Sequence, residues 1–289
     1  MWIFENGKGE LINLSYEKPI MLQQIDGLNS PKIKYTTTQG YGQTAKVTAE
    51  SVEPLTITIK GIINVEDLDE EIKTYTSLIS SVFSPKKGVG TLKYTASNGD
   101  VYENKCYVVQ PKIFSEAEKR TLFTREFSIQ LLCPSPYWSL TPAVEEYLGF
   151  AVGGLEFPFE LDIEFEQRKT KATINNPGDV DSPLLISFYG PATLPEIKNN
   201  TTSEVLKLEK SLLSNEVLEI STDNDDITAV IRDLETGTES DAFNYIDIAN
   251  MDFFKLYIGD NELEFSTGDS TEDAYVTLEY TTKFMMVEE

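Results

Sequence analysis

The chain has 289 residues, 40% of them hydrophobic and 11% aromatic, and its 24 Lys+Arg against 48 Asp+Glu give a formal net charge of -24. This length exceeds one ordinary core and fits two domains of roughly 140 residues, and the composition excludes a disordered chain. The absence of histidine excludes Ser-His and Cys-His dyads and imidazole metal sites.

Met1-Trp2-Ile3-Phe4-Glu5 lacks a basic segment followed by an apolar core, and no apolar run approaches the ~20 residues that span a bilayer. A soluble chain without a secretion signal is expected. Leu55, Ile57 and Ile59 alternate with Thr56, Thr58 and Lys60, the period of a strand with one buried face. Leu68, Ile72, Tyr75, Ile79 and Val82 then fall at steps of four and three, which predicts a helix over about 65–83. Asn64 is its candidate cap, Glu66, Asp67, Asp69, Glu70 and Glu71 suit the positive end of its dipole, and Pro85 with Gly88 ends it. Gly88-Val89-Gly90 follows a helix rather than a strand, so it reads as the turn into the next strand and not as a nucleotide loop.

Asn98-Gly99 separates strand-like stretches at 91–96 and 101–109 and predicts a hairpin. Phe127, Ile129 and Leu131 alternate with Glu126, Ser128 and Gln130 as a further strand. Cys106 and Cys133 both lie in apolar strand-like segments without metal spacing and are expected to be buried free thiols. Pro134 and Pro136 stop the strand and place a linker near 134–146, dividing a first domain, 1–139, from a second, 140–289. Tyr137 and Trp138 could stack on a sugar, but aromatics after such a corner more often plug the end of a domain.

The acidity lies beyond this boundary. Residues 1–139 hold 15 Lys+Arg and 16 Asp+Glu, and residues 140–289 hold 9 and 32. The second half therefore repels nucleic-acid phosphates and anionic lipid heads, while the near-neutral first half suits packing against copies of itself.

In the second half, strands are expected at Leu184, Ile186 and Phe188; at Val217 to Ile220; at Ile227, Ala229 and Ile231; at Phe254, Leu256 and Ile258; and at Val276, Leu278 and Tyr280. Asn176-Pro177-Gly178, Gly259-Asp260-Asn261 and Thr267-Gly268-Asp269 read as turns between them. The fold class is all-β with one helix in the first domain, built as two β-sandwiches.

Glu160, Asp162, Glu164 and Glu166 alternate with apolar residues, so a strand would carry them on one face. Ligands on one strand face cannot wrap a cation, and a solvated face that deters edge pairing accounts for the row. Asp223-Asn224-Asp225-Asp226 resembles the start of an EF-hand loop but lacks the later glycine and glutamate, which leaves a polar turn. A carboxylate pair could hydrolyse glycans, yet nothing selects two among 48 acids. No catalytic, cofactor-binding or metal-ligating residue is assigned.

Ile59-Lys60-Gly61-Ile62-Ile63, the helix ending at Ser84-Pro85, Gly90-Thr91-Leu92-Lys93-Tyr94, and Phe127 through Trp138 stand in an order that resembles the distal tail protein (Dit) family of long-tailed phages. Asn176-Pro177-Gly178-Asp179, Pro183-Leu184-Leu185-Ile186, Gly190-Pro191-Ala192 and Ile197-Lys198-Asn199-Asn200-Thr201-Thr202 are similar to that family's C-terminal domain. The resemblance implies a non-enzymatic virion protein of the tail tip, assembled in the bacterial cytoplasm. Its N-terminal sandwich would form a homohexameric ring, possibly stacked, with a galectin-like C-terminal sandwich outside it.

The implied partners are tail tube protein, a tail-associated tip protein, tape measure protein and, in some relatives, a receptor-binding protein held by a long arm. The roughly 150 residues of the second half leave little room for such an arm. No cofactor, membrane or sequence-specific nucleic acid is implied. The alternative reading is a carbohydrate-binding module. Galectin-type sugar sites lean on His, Arg, Asn and Trp, and the second half holds no His, no Trp and only Arg168 and Arg232.

Overall fold

The computed structural model describes residues 1–39, 42, 44–65, 70–113, 124–149, 170–223, 226–246, 253–268 and 274–287. The chain forms two units, Met1–Thr141 with Phe284–Glu289, and Pro142–Lys283.

The first unit contains β1 (Trp2–Glu5), β2 (Leu11–Leu14), β3 (Ile20–Asp26), β4 (Ile33–Gln39), β5 (Ala45–Val52), β6 (Leu55–Asn64), α1 (Glu70–Val82), β7 (Gly90–Thr95), β8 (Val101–Ile113), β9 (Thr124–Cys133) and β10 (Trp138–Thr141). Its main sheet has the order β2-β1-β7-β8-β9-β6-β3. β8 is long enough to serve both halves: residues up to Cys106 pair with β7 and residues from Tyr107 pair with β9, with a bulge between Val108 and Gln110. A bulge sharpens twist and bends the strand. The sheet curls until its two ends approach, where Leu22 N donates to Ser15 O at 2.6 Å.

The alternation read at residues 55–60 continues through Ile63, with every second residue of β6 buried. Gly61 takes one of these inward positions because the Phe127 ring, its cross-strand partner, occupies the space a Cβ would need, and such a Cβ would also sit 2.7 Å from Met21 O. Phe4 and Leu92 from one half of the sheet and Ile57, Ile59, Ile129 and Leu131 from the other share one core. The helix adds Ile72, Ile79 and Val82 to that core with Tyr75 packed against it, as its period requires, while Leu68 lies outside the described residues. Phe83 then stacks on Phe4 with centroids 4.5 Å apart. The Asn98-Gly99 hairpin forms as expected, with Gly99 at φ 95°.

One expectation for this unit fails. Asn64 does not cap the helix, because it is the last residue of β6 and Val65 after it is not helical. The described cap is at the other end, where Asn6 Nδ2 donates to Val82 O at 3.0 Å. The two units divide between Thr141 and Pro142, within the stretch 134–146, and the first part of that stretch is packed into the first unit. Trp138 is fully buried and meets Trp2 edge-on with centroids 5.8 Å apart, and β10 pairs with β8. Burial of a large aromatic anchors the segment more strongly than two prolines loosen it. The C-terminal end also returns to this unit, with Phe284 edge-on to Tyr102 and Val287 in the core.

The second unit contains β11 (Val144–Gly149), β12 (Lys171–Asn176), β13 (Leu184–Tyr189), β14 (Glu196–Asn199), β15 (Glu204–Lys207), β16 (Glu216–Asp223), β17 (Asp226–Asp233), β18 (Glu239–Asp241), β19 (Gly259–Ser266) and β20 (Tyr275–Tyr280), followed by the short β21 (Lys283–Phe284) at its border. A six-stranded sheet, β11-β20-β13-β16-β17-β18, and a four-stranded sheet, β12-β19-β14-β15, enclose one apolar core. Phe188 of the first sheet meets Phe265 of the second at 6.0 Å.

Three asparagines that are fully buried tie the loops of this unit together. Asn261 Nδ2 donates to Tyr257 O at 2.7 Å and Gly259 O at 3.0 Å, and its Oδ1 accepts from Tyr257 N and from Asn199 Nδ2. Asn176 Nδ2 donates to Val180 O and Leu256 O. This network explains a misreading. Phe254, Leu256 and Ile258 do not form a strand, since Leu256 makes only an isolated bridge to Ser182 and Ile258 is exposed. Gly259-Asp260-Asn261 is not a turn but the start of β19. The carboxamide of Asn261 satisfies the backbone of Tyr257, so that segment needs no neighbouring strand.

Candidate functional site

Among the described residues, no group of three His, Cys, Asp or Glu is placed to hold a metal ion. The described carboxylates act locally: Asp26 pairs with Lys60 at 2.9 Å, Glu5 with Lys93 at 3.1 Å and Glu264 with Lys171 at 3.0 Å. The row Glu160, Asp162, Glu164 and Glu166 lies outside the described residues. Asp223 and Asp226 face each other as the last register pair of the β16–β17 hairpin, and Asn224-Asp225 lie outside the description. Cys106 and Cys133 are buried and free. One further step along the β8–β9 register sets them opposite each other. A hydrogen bond with Cys106, together with burial, pushes the Cys133 thiol far above its ordinary range, which leaves it without nucleophilic character.

Among the described residues, the features that stand out are surfaces. In the first unit, among the described residues, β4 and β5 pair only with each other and are exposed along both faces. Tyr35 is 54% exposed and Val47 53% exposed. A two-stranded hairpin with no packed face is marginal in water by itself, so this element is built to be covered. A second apolar surface lies on the outside of the curled sheet, where Tyr107 and Leu132 are cross-strand partners and Val109 sits at the bulge, all three exposed. Scattered exposed apolar residues are ordinary, but a cross-strand pair beside a bulge forms a continuous patch.

In the second unit the outward face of the six-stranded sheet carries a tyrosine cluster. Tyr189 and Tyr275 are register partners whose rings stack at 4.4 Å and 9°. Tyr147 lies on the adjacent strand, and its hydroxyl is bonded to Glu145, which raises its pKa. Two strands from Tyr189, Arg232 pairs with Glu219 at 3.0 Å and Glu239 at 3.1 Å. Sequence reading missed this cluster because its members lie far apart in the chain. The only available signal was an arginine in a half that has just two.

A family model described as "Phage tail protein RIFT-related domain" matches residues 7–133, and one described as "Siphovirus-type tail component, C-terminal domain" matches residues 177–284. No curated protein matches the chain by sequence. Among solved structures, the chain is similar to the Dit protein of phage SPP1, described as a paradigm of the hub adsorption apparatus in phages infecting Gram-positive bacteria. The TM-score is 0.68 at 11% identity, covering 98% of this chain and 99% of that one. It is also similar to a chain of the phage P2 baseplate in its activated, calcium-bound conformation, with a TM-score of 0.49 at 13% identity, covering 96% and 97%.

Proposed function

We propose that this chain, which belongs to the distal tail protein family of siphophages, closes as a homohexamer into the hub ring at the tail tip. Its role is structural: it is a component of the tail tip or baseplate of the virion and serves there as the hub. The ring joins the tail tube protein on one side to the tail-associated tip protein on the other. DNA and tape measure protein pass through its lumen, and no catalytic step is involved.

The observation that supports ring closure is the exposed β4–β5 hairpin on a near-neutral unit. A closed ring needs two unlike faces on each subunit, one docking on the other's complement. The hairpin supplies one face and the Tyr107–Leu132 surface supplies the other. Low net charge lets six such units adjoin without strong mutual repulsion.

The test is to put glutamate at both apolar positions, Tyr107→Glu with Leu132→Glu, and measure mass by light scattering. Ring mass in the wild type and monomer mass in the variant, with an unchanged circular dichroism spectrum, is the expected result. A variant that still forms rings overturns the assignment of this surface.

A further inference from the structure

The outward face of the six-stranded sheet in the second unit has the chemistry of a sugar-binding surface. Inward residues of β13 and β20, such as Ile186, Phe188, Val276 and Leu278, fill the core, which leaves the alternate positions facing out. One row of outward positions runs across the strands through Tyr275, Tyr189, Val217, Arg232 and Glu239. The next row runs through Tyr147, Thr277, Ser187 and Glu219. Val217, Ser187 and Thr277 are buried and form the floor. Tyr147 is 61% exposed. Strands lie ~4.8 Å apart, so Tyr275 and Arg232 are separated by about 14 Å, a span a short oligosaccharide covers.

We infer that this face binds a neutral oligosaccharide, with the tyrosines packing against the apolar faces of sugar rings and Arg232, Glu219 and Glu239 hydrogen-bonding to hydroxyls. Tyrosine offers a broad apolar ring and a polar tip at low entropic cost, which suits a partner that alternates C–H and O–H surfaces. The two ion pairs fix the Arg232 guanidinium, whose five donors exceed what those contacts use. Charge sets the class of glycan. The second half holds 32 acids and 9 basic residues, so a phosphate- or carboxylate-bearing polymer is repelled. A basic peptide is the weaker fit, because Glu219 and Glu239 are paired with Arg232 and Glu145 is bonded to Tyr147. This site does not depend on ring closure and assigns the second unit a recognition role of its own.

The experiment is saturation-transfer NMR on the full-length chain with maltotetraose, cellotetraose, chitotetraose and lactose, and with glycerol phosphate trimer and tetralysine as charged probes. At least one neutral oligosaccharide receives saturation, and the anionic probe does not. Tyr147→Ala, at an exposed position, and Arg232→Gln each weaken that binding about tenfold, or ~1.4 kcal/mol, with unchanged melting temperature. Ring mass measured on the same variants stays at the wild-type value, which separates failure here from failure of the hub assignment. No response from any neutral probe, equal binding by both variants, or a response to tetralysine alone overturns the proposal.

Discussion

The two units of this chain are both closed β structures around one core each, yet they expose opposite kinds of surface. The first is nearly neutral in its sequence half and leaves an entire hairpin and an apolar cross-strand pair uncovered. The second carries nearly all the net charge, locks its loops with buried asparagines and exposes a face of tyrosines and ion pairs. Surface that must meet other proteins stays apolar and uncharged, whereas surface that stays in solvent can carry a high charge.

The sharpest way to break this comparison is to remove the hairpin. Replacing residues 33–52 by a short Gly-Ser link abolishes ring formation in light scattering and leaves the melting transition of the first unit in place, because no residue of β4 or β5 belongs to the core. Loss of folding would show that the hairpin supports its own unit instead.

Next in size are two substitutions that address one unit each. Ile59→Ala removes a fully buried side chain from the first core and costs that unit about 4 kcal/mol. Asn261→Ala removes the carboxamide that bonds the backbone N–H and C=O of Tyr257 and accepts from Asn199 Nδ2, costing the second unit about 3 kcal/mol. Calorimetry distinguishes the two, since each variant lowers one transition and leaves the other within about 0.5 kcal/mol.

The helix and the strands β6 and β9 were legible in the sequence because each buries one side, and burial imposes its period on the residues. β4 and β5 were not, because they bury neither side: the Thr-rich run Tyr35-Thr36-Thr37-Thr38 shows no alternation to read. Trp138 was legible as an aromatic that plugs the end of a domain, but its anchoring contact with Trp2, at the other end of the unit's chain, was not. The resemblance motifs of the second half proved structural where they are described, with Asn176 and Asn199 serving as buried loop ties. The tyrosine face was invisible because Tyr147, Tyr189 and Tyr275 meet only through the order β11-β20-β13, which no local pattern encodes.

A smaller effect concerns pH. Hydrogen bonds from Asn200 and then Lys171 hold the Glu264 carboxyl below its ordinary value of 4.5. A carboxyl whose folded pKa is depressed contributes stability above its unfolded pKa and loses it as pH falls through the folded value. The second unit of the wild type therefore loses slightly more stability than Glu264→Gln when the pH is taken from 6 down through about 4, as read from parallel melting curves. Equal slopes for the two proteins would remove Glu264 from the account.

The central claim is that the first unit closes into a ring. Electron microscopy of the purified wild-type chain, alone and mixed with isolated tail tubes, tests it directly: six-fold rings with an open lumen, seated at tube ends in the mixture, are the predicted result. A chain that stays monomeric at every concentration and leaves the tube ends bare would contradict it.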